Sequence, residues 1–215
     1  KNTDNKLVTG VQTFVMDEAF QASTHSSQGG FVHGRQFTVN ALDLDSSSRI
    51  VGAQVRDWNN DRCLTQGDPD RKLAILAFFD FVAAFPSIIH AWIHLVMEAK
   101  GIPVGIRNFI LSLYWMNSAW SSGGGASVFL FWYMSGVLQG CPASAFLFNN
   151  SLDPFLVHFA RVLQSGKFGI VRACADDLAF SLTRLKHLSL LHPIFENARI
   201  LAGLSLKATK CVVVP

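Results

Sequence analysis

Apolar residues recur at helical spacing over six stretches of the chain, which are separated by polar segments and short continuous apolar runs. These stretches predict helices over residues 2–25, 38–55, 86–100, 103–115, 145–163 and 185–202. In the first of them, the apolar stripe is formed by Leu7, Val11, Phe14, Val15 and Phe20. Residues 57–72 are the most polar stretch, and they predict a surface loop.

Short apolar runs between the helices predict strands. Residues 73–79 are continuously apolar and end at Asp80, a pattern typical of a strand buried on both faces. Residues 121–125 predict a flexible turn between two strand-like runs, and residues 203–214 predict a turn that leads into a last strand. Residues 31–35 predict a short extended or turn element.

Three carboxylates stand at the ends of such runs. Asp176 and Asp177 lie between short apolar segments, which is typical of a hairpin with acidic groups at its tip, although an Asp pair is also ordinary turn chemistry. Asp80 likewise stands directly after a short apolar segment. If the two segments are neighbours, the three carboxylates converge at one end of a sheet. Because adjacent carboxylates repel each other, such a cluster needs a cation, and an oxygen-rich site suits Mg²⁺.

The composition narrows the class of protein. The chain is 50% hydrophobic and only 15% charged, which excludes a disordered chain, and its net charge of +3 is compatible with a nucleic-acid partner. Four scattered cysteines without a Cys-x-x-Cys pair argue against a structural zinc site and a disulfide framework, and they favour a reducing compartment. Residues 81–97 and 128–138 are interpreted as buried core, because a membrane-crossing helix needs about 20 apolar residues. No membrane partner is expected.

Several stretches, in the correct order, resemble the motifs of reverse transcriptases, most closely those of non-LTR (LINE-like) retrotransposons. Residues 2–7 are similar to the opening of that family's fingers. The other matching stretches are residues 28–35 (QGGFVHGR), 79–85 (FDFVAAF), 136–144 (GVLQGCPAS) with 147–149 (LFN), 175–177 (ADD), and 203–206 (GLSL) with Lys210. Each is weak alone, but together they cover nearly the whole chain.

The resemblance implies an α/β (α+β) fold: a polymerase palm whose antiparallel sheet is backed by helices, together with helical fingers. It implies fingers over residues 1–72, palm over 73–102, a connection with a hairpin over 103–135, and palm again over 136–215. The family's thumb would follow Pro215, so a fragment of fingers and palm, with the thumb absent, is expected.

The same resemblance implies an RNA-directed DNA polymerase, a nucleotidyltransferase that uses two-metal catalysis. Its partners would be an RNA template, a DNA primer and a dNTP. Asp80, Asp176 and Asp177 would be catalytic and would hold two Mg²⁺ ions, with Mn²⁺ as a substitute. Phe85 would pack under the sugar and exclude a 2′-hydroxyl. From the residues alone, Phe85 is interpreted as a core residue at the start of an apolar helix.

Further nucleotide and template contacts are implied by the same motifs. Arg35 would pair with the triphosphate, and Gln139 would contact the incoming nucleotide. Lys210 would be a charge partner of the triphosphate or a proton donor to the leaving pyrophosphate. Gly140 and Pro142 would shape the backbone under the template base. Without the resemblance, Arg35 is predicted as a solvated loop residue and Lys210 as a charge that protects a strand edge.

Two alternatives stay open. One is an inactive or domesticated reverse-transcriptase-like domain that binds RNA or protein partners; the three intact aspartates argue against it, and altered motif edges such as Cys174 argue for it. The other is a group II intron-type maturase or an RNA-dependent RNA polymerase. An intracellular location is expected, in nucleus and cytoplasm for a eukaryotic retrotransposon, and the oligomeric state is left open.

Overall fold

The structure, a computed structural model, describes residues 3–114 and 116–215. The helices are α1 (Thr3–Ser23), α2 (Phe37–Asp61), α3 (Ala84–Ser87), α4 (His90–Ala99), α5 (Val104–Tyr114), α6 (Ala143–Val162) and α7 (Leu188–Ala202). The strands are β1 (Ile75–Phe79), β2 (Ser118–Gly123), β3 (Ala126–Trp132), β4 (Gly169–Cys174), β5 (Asp177–Leu182) and β6 (Val212–Val214).

Four of the strands form one antiparallel sheet in the order β4-β5-β1-β6. β1 lies between β5 and β6 and pairs antiparallel with both of them, although β5 and β6 follow it by about a hundred residues or more. β2 and β3 form a separate two-stranded hairpin that turns at Gly124 and Gly125, whose φ angles of 60° and 82° suit glycine. The mixture of helices with an antiparallel sheet confirms the predicted fold class.

One face of the sheet forms the core with α6 and α7. Phe180 of β5 is fully buried, and its ring packs edge to face against Phe159 of α6 and Phe195 of α7. Burying a side chain of this size contributes about 1.5–3 kcal/mol to folding. This packing holds β5, and with it the acidic turn that precedes β5, in one position.

The other face of the sheet is covered by α2 over β4 and β5, but it is open over β1 and β6. Ser47 of α2 hydrogen-bonds to Ser181 of β5 (3.2 Å), and Asp43 of α2 pairs with Arg172 of β4 (3.0 Å). Phe78 of β1 points to this face and is 40% exposed. The prediction that the 73–79 strand is buried on both faces is therefore wrong, because only its other side meets helices.

The first helix is confirmed by α1, but its predicted apolar stripe does not face the core. The buried residues of α1 include Met16 and Phe20, whereas Phe14 is 85% exposed and Val15 is 73% exposed. Phe20 is the one member of the predicted stripe that is buried. Asn2, the predicted start of the helix, lies outside the described residues.

Three boundaries differ from the prediction. α2 continues to Asp61, so the polar loop begins after it. The helix predicted over residues 86–100 is divided into α3 and α4, because at the break Ile88 accepts a backbone hydrogen bond from Gly136 and Ile89 donates one to Ala202. The last strand is limited to β6. In the part of the chain that the structure describes, no helix combines the length and apolar character that a bilayer crossing requires.

Candidate active site

Antiparallel pairing of β1 with β5 brings the three predicted carboxylates to one end of the sheet. Phe79, the last residue of β1, pairs with Leu178 of β5. Asp80 therefore lies beside Asp177, the residue that opens β5, and Asp176 precedes it in the turn. The convergence expected from the sequence is present in the fold.

The turn that carries Asp176 is a tight two-residue hairpin. Cys174 pairs with Asp177 across it, so Ala175 and Asp176 are the two central residues. Ala175 has a φ of 56°, and a positive φ at the first central residue is typical of a type II′ turn. This conformation is unfavourable for a residue with a Cβ, so it requires contacts that hold it.

Gln28 supplies those contacts from a segment far away in the sequence. Its Oε1 accepts a hydrogen bond from the Ala175 N–H (2.8 Å), and its Nε2 donates one to the Ala175 carbonyl (3.1 Å). The same Oε1 also accepts from the Gly30 N–H (2.9 Å), and Gln28 is fully buried. One amide side chain thus fixes the backbone of the acidic turn. In the sequence, Gln28 belongs to a recognised motif but has no predicted role of its own. No local sequence pattern shows that its hydrogen-bond partner lies 147 residues away.

Gly30 is required by the same close approach. A Cβ at this position would lie 2.3 Å from the Ala175 nitrogen and 2.9 Å from the Cys174 carbonyl carbon. Both atoms are backbone and cannot move aside without moving the turn. Asn149 of α6 donates to the Gly30 carbonyl (2.7 Å), which fixes this segment from the other side.

Asn40, in the first turns of α2, ties the helix to the β4 strand beside the turn. Its Nδ2 donates to the carbonyls of Ala173 (2.8 Å) and Ser27 (3.2 Å). The Gly29 N–H donates to the same Ala173 carbonyl (2.8 Å). The segment around Gln28 therefore extends the edge of β4. The sequence marks Asn40 only as a polar residue on a predicted helix, so this role could not be predicted.

Lys210 lies at the carboxylate cluster, and the triphosphate role that the resemblance implies for it stays a prediction. Its Nζ is 2.6 Å from Asp80 Oδ2, and the Asp80 side chain is 18% exposed. The Lys207 N–H donates to the Asp80 carbonyl (2.8 Å), which aligns the segment before β6 with the end of β1. The hydrogen bond and the charge of Asp80 raise the pKa of Lys210, so this side chain is a cation at neutral pH.

The electrostatics of the cluster suit a cation. Partial burial raises the pKa of Asp176, and the carboxylates of Asp177 and Asp80 raise it further, while Lys210 acts in the opposite direction. Among the described residues, no three His, Cys, Asp or Glu side chains already stand in a metal-holding arrangement. The donor set nevertheless fits a divalent ion, because hard cations prefer carboxylate oxygens and the three groups share one strand end.

The Arg35 guanidinium contacts backbone carbonyls in this structure. It donates to the carbonyls of His25 (2.6 Å), Gln28 (2.9 Å) and Thr24 (2.9 Å). These bonds close the loop that carries Gln28 and so support the acidic turn indirectly. The triphosphate contact implied for Arg35 stays a prediction, and the structure adds a positioning role that the sequence did not indicate.

Phe85, in α3, is held between the core and the surface. Its ring stacks on the buried Phe148 (4.4 Å between centroids) and meets Phe31 edge to face (6.4 Å). Phe31 is 70% exposed. The ring is thus supported by core packing while it remains only partly buried, which is compatible with both the gate and the core interpretation.

The predicted nucleotide and template residues Gln139, Gly140 and Pro142 lie on one exposed loop before α6. Gly140 has a φ of 76°, and Pro142 precedes the helix directly. A Cβ at Gly140 would lie 3.7 Å from the Nζ of Lys6 in α1. The exposed loop therefore faces a cation of the N-terminal helix, and the roles of its three residues stay predictions.

A groove of about 630 Å³ opens beside the carboxylates, between α2 and the open face of the sheet. Asp80, Asp177 and Lys210 line it, together with apolar side chains that include Phe37 and Phe78. The cluster is therefore accessible from an apolar channel large enough for a planar ring or a sugar.

Comparisons with known proteins agree on one family. Residues 6–215 match the family profile described as "Reverse transcriptase (RNA-dependent DNA polymerase)". A Pol polyprotein of the type-2 retrotransposable element R2DM from Drosophila melanogaster is 35% identical over 147 residues, which is 65% of this chain and 13% of that protein.

Solved structures with the same fold include telomerases. The apo telomerase of Candida tropicalis truncated from its C-terminal domain matches with a TM-score of 0.63 and 13% identity, over 99% of this chain and 41% of that chain. The telomerase of Candida albicans in complex with a TWJ fragment of telomeric RNA matches with a TM-score of 0.59 and 11% identity, over 98% of this chain and 35% of that chain. The chain thus spans only a minor part of these relatives.

Proposed function

This chain belongs to the reverse transcriptase (RNA-dependent DNA polymerase) family, and we propose that its carboxylate cluster catalyses DNA synthesis on an RNA template. The observation that supports this most directly is the convergence of Asp80, Asp176 and Asp177 at one strand end, beside Lys210. The Gln28 hydrogen bonds hold the turn in place, as a site of preorganised charge requires.

The reaction is the transfer of a deoxynucleotide to a primer. The primer O3′ attacks the α-phosphorus of a dNTP and its hydroxyl proton passes to solvent. The O3′–P bond forms, and the bond from phosphorus to the pyrophosphate oxygen breaks. Two divalent ions, bound by Asp80, Asp176 and Asp177, would activate the hydroxyl and neutralise the phosphoryl charge. Lys210 Nζ, held beside Asp80, donates a proton to the leaving pyrophosphate.

Primer extension tests this function. A labelled DNA primer annealed to an RNA template is incubated with dNTPs and Mg²⁺, with the wild-type chain and with Asp176→Asn. The matched control is Asp57→Asn, which removes an exposed carboxylate of α2. We expect extension by the wild type and by D57N, and none by D176N. Tight RNA binding without extension by the wild type would overturn the proposal in favour of a binding module.

Phe85 is proposed to select the sugar. Its ring is fixed by the stack on Phe148, so it presents a rigid surface to the nucleotide. Phe85→Ala is expected to admit ribonucleotides in the same assay, whereas Phe31→Ala, which removes only the edge contact, is not. If F85A incorporates no ribonucleotide, the gate role is wrong. Efficient use of ribonucleotides by the wild type would favour an RNA-dependent RNA polymerase.

The type of reverse transcriptase is proposed from the similarity to the R2 polyprotein. The 35% identity to the R2 polyprotein supports the reverse transcriptase domain of a non-LTR retrotransposon. RNA as template and a DNA 3′ end as primer are proposed on the same ground. Extension with equal efficiency on a DNA template and on an RNA template would contradict the template assignment.

A further inference from the structure

The sheet end opposite to the carboxylates carries a second, strongly charged feature. β1 starts at Ile75, which pairs with Leu182 at the end of β5. Since a strand advances about 3.3 Å per residue, this end lies roughly 17 Å from Asp80. A cavity of about 620 Å³ opens there, between the second half of α2, the end of β5 and the start of α7.

The lining of this cavity has one sign of charge. Its titratable residues are Lys72, Lys167, Arg184, Lys186 and His187, which together define what we call the basic pocket, and the described residues that line it include no Asp or Glu. In the part of the chain that the structure describes, none of its lysines or its arginine has a carboxylate oxygen within 4.0 Å. These cations therefore lack the intramolecular partners that Lys210 has.

Aromatic rings hold the cations in place without neutralising them. Lys72 Nζ lies 3.5 Å from the centroid of the Trp58 ring, and the Arg62 guanidinium lies 4.1 Å from it. Lys167 Nζ lies 5.6 Å from the centroid of the Phe168 ring. Contacts of this kind orient a cation and leave its charge available to an anion.

The backbone of the basic pocket is also fixed. The buried side chain of Asn59 accepts a hydrogen bond from the Lys72 N–H (3.0 Å) and donates one to the Lys72 carbonyl (3.0 Å). The Leu185 N–H donates to the Leu73 carbonyl (2.8 Å), which joins the Lys72 segment to the segment before α7. The basic pocket is therefore a built feature and not a chance meeting of mobile surface lysines.

Like charges crowd each other in this arrangement. Desolvation lowers the pKa of Lys72, and repulsion from Arg184 and Arg62 lowers it further. An adjoining cavity shares Lys72, Arg184 and Lys186 and is lined by Asp68 and Asp70 as well, whereas Lys167 lines only the basic pocket, on the side without these two carboxylates. An anion bound on that side would relieve the repulsion.

We propose that the basic pocket binds the phosphodiester backbone of single-stranded RNA, at a second site separate from the carboxylate end. Several cations around Val55, Trp58 and Leu190 suit a single strand, because its phosphates can meet the cations directly. The site would hold RNA that flanks the templating segment. It does not require catalysis.

The test is the affinity for a fluorescein-labelled single-stranded RNA of mixed sequence, measured by fluorescence anisotropy over a range of salt concentrations. The variant is Lys167→Gln with Lys186→Gln, two exposed side chains of the basic pocket. The matched control is Arg49→Gln with Arg199→Gln, which removes the same charge from exposed cations outside it. Thermal melting of both variants shows that the fold is retained.

We expect K167Q/K186Q to bind RNA about tenfold more weakly near 0.1 M salt, with the slope of log K against log salt reduced by about 0.7 for each phosphate that the variant no longer neutralises. R49Q/R199Q should bind within about twofold of the wild type, because paired cations release few counterions. Equal losses of affinity in both variants, or an unchanged affinity in K167Q/K186Q, would overturn the proposal.

Two further measurements separate RNA binding at the basic pocket from the polymerase function and from membrane binding. In the first, the binding assay contains no primer, dNTP or divalent ion, so failure of the polymerase function leaves its result unaffected. Vesicles containing phosphatidylserine are tested with the same variants. Loss of vesicle binding without loss of RNA binding would assign the basic pocket to a membrane surface and would overturn the RNA proposal.

Discussion

The two ends of the four-stranded sheet carry opposite charges, and each is held by one buried amide side chain. At the acidic end, Gln28 accepts from the Ala175 N–H and donates to its carbonyl. At the basic end, Asn59 accepts from the Lys72 N–H and donates to its carbonyl. In both places an amide satisfies both backbone groups of one residue, which fixes a charged segment without adding charge.

The ends differ in how their charge is balanced. Asp80 has a cation at 2.6 Å in Lys210, which the chain itself supplies. In the described residues, the basic pocket has aromatic partners but no carboxylate partner. The carboxylate cluster has a counterion within the chain, so it is suited to hold its geometry through a reaction. The basic pocket has none among the described residues, so it is suited to bind an anion from outside the chain. The difference suggests a division of labour between chemistry and binding.

The largest effect is expected from Gly30→Ala. The new Cβ would clash with the Ala175 nitrogen and the Cys174 carbonyl carbon, so the acidic turn must move. A displacement of about 1 Å at a reacting centre costs about 100-fold in rate, and overpacking of this kind costs about 1–3 kcal/mol of stability. Primer extension and thermal melting measure the two losses.

Gly52→Ala is the matched control for that change. Gly52 lies inside α2 with open space around its Cα, so alanine should stabilise the helix by about 1 kcal/mol and leave extension unchanged. If G30A extends the primer and melts as the wild type does, the close approach at the turn is not rigid.

The comparison of the two amides is tested by Gln28→Ala and Asn59→Ala. Each change leaves buried backbone groups without a partner, which costs about 1–3 kcal/mol in the free energy of unfolding. Their functional effects should differ: Q28A should lose primer extension and keep RNA affinity, and N59A should weaken RNA binding. Denaturant unfolding, extension and anisotropy on both variants provide the measurements. If both variants lose the same function to the same degree, the division of labour is wrong.

A similar loss of rate, but without the loss of stability, is expected when the internal counterion is removed. Lys210→Met should slow primer extension by about 100-fold, as is typical when a proton donor is removed, with little change in melting temperature because Lys210 is largely exposed. Lys207→Met removes an exposed lysine three residues away and should behave as the wild type. Equal slowing in K207M would mean that net charge, and not the contact with Asp80, is responsible.

The smallest effect concerns pH, and each end of the sheet contributes one histidine. Burial lowers the pKa of His25 below 6.5, opposed by Asp153 and assisted by Arg35. Burial also lowers the pKa of His187, and Arg184 adds to it. Since both folded-state values lie below the unfolded value, their contribution to stability is fully present above pH 6.5 and is lost as pH falls below it.

Thermal melting between about pH 7 and about pH 5.5 should therefore show a modest decrease in stability. The decrease should be smaller in His25→Asn and in His187→Asn than in the wild type. His33→Asn, at an exposed position, should retain the full decrease. A melting temperature that does not change with pH would contradict the burial of both rings.

Much of the fold and the core of the candidate site could be predicted from the sequence, because those features depend on local patterns. Helical spacing predicted the positions of α1, α2 and α5 to α7, since one apolar stripe suffices to identify a helix. The adjacent Asp176 and Asp177 between apolar runs indicated a hairpin, and the order of motifs indicated that Asp80 belongs beside it. These are statements about neighbours in the chain or about a family resemblance.

Only the tertiary structure decided which faces are buried and which distant groups meet. Phe14 and Phe20 have the same apolar character, yet one is 85% exposed and the other 6%, because α6 packs on only one side of α1. The contacts of Gln28 with Ala175 and of Asn59 with Lys72 join backbone groups to amides from other segments. Hydrogen bonds of this kind have no periodicity and leave no mark in composition, so they become visible only when the packed core has brought the segments together.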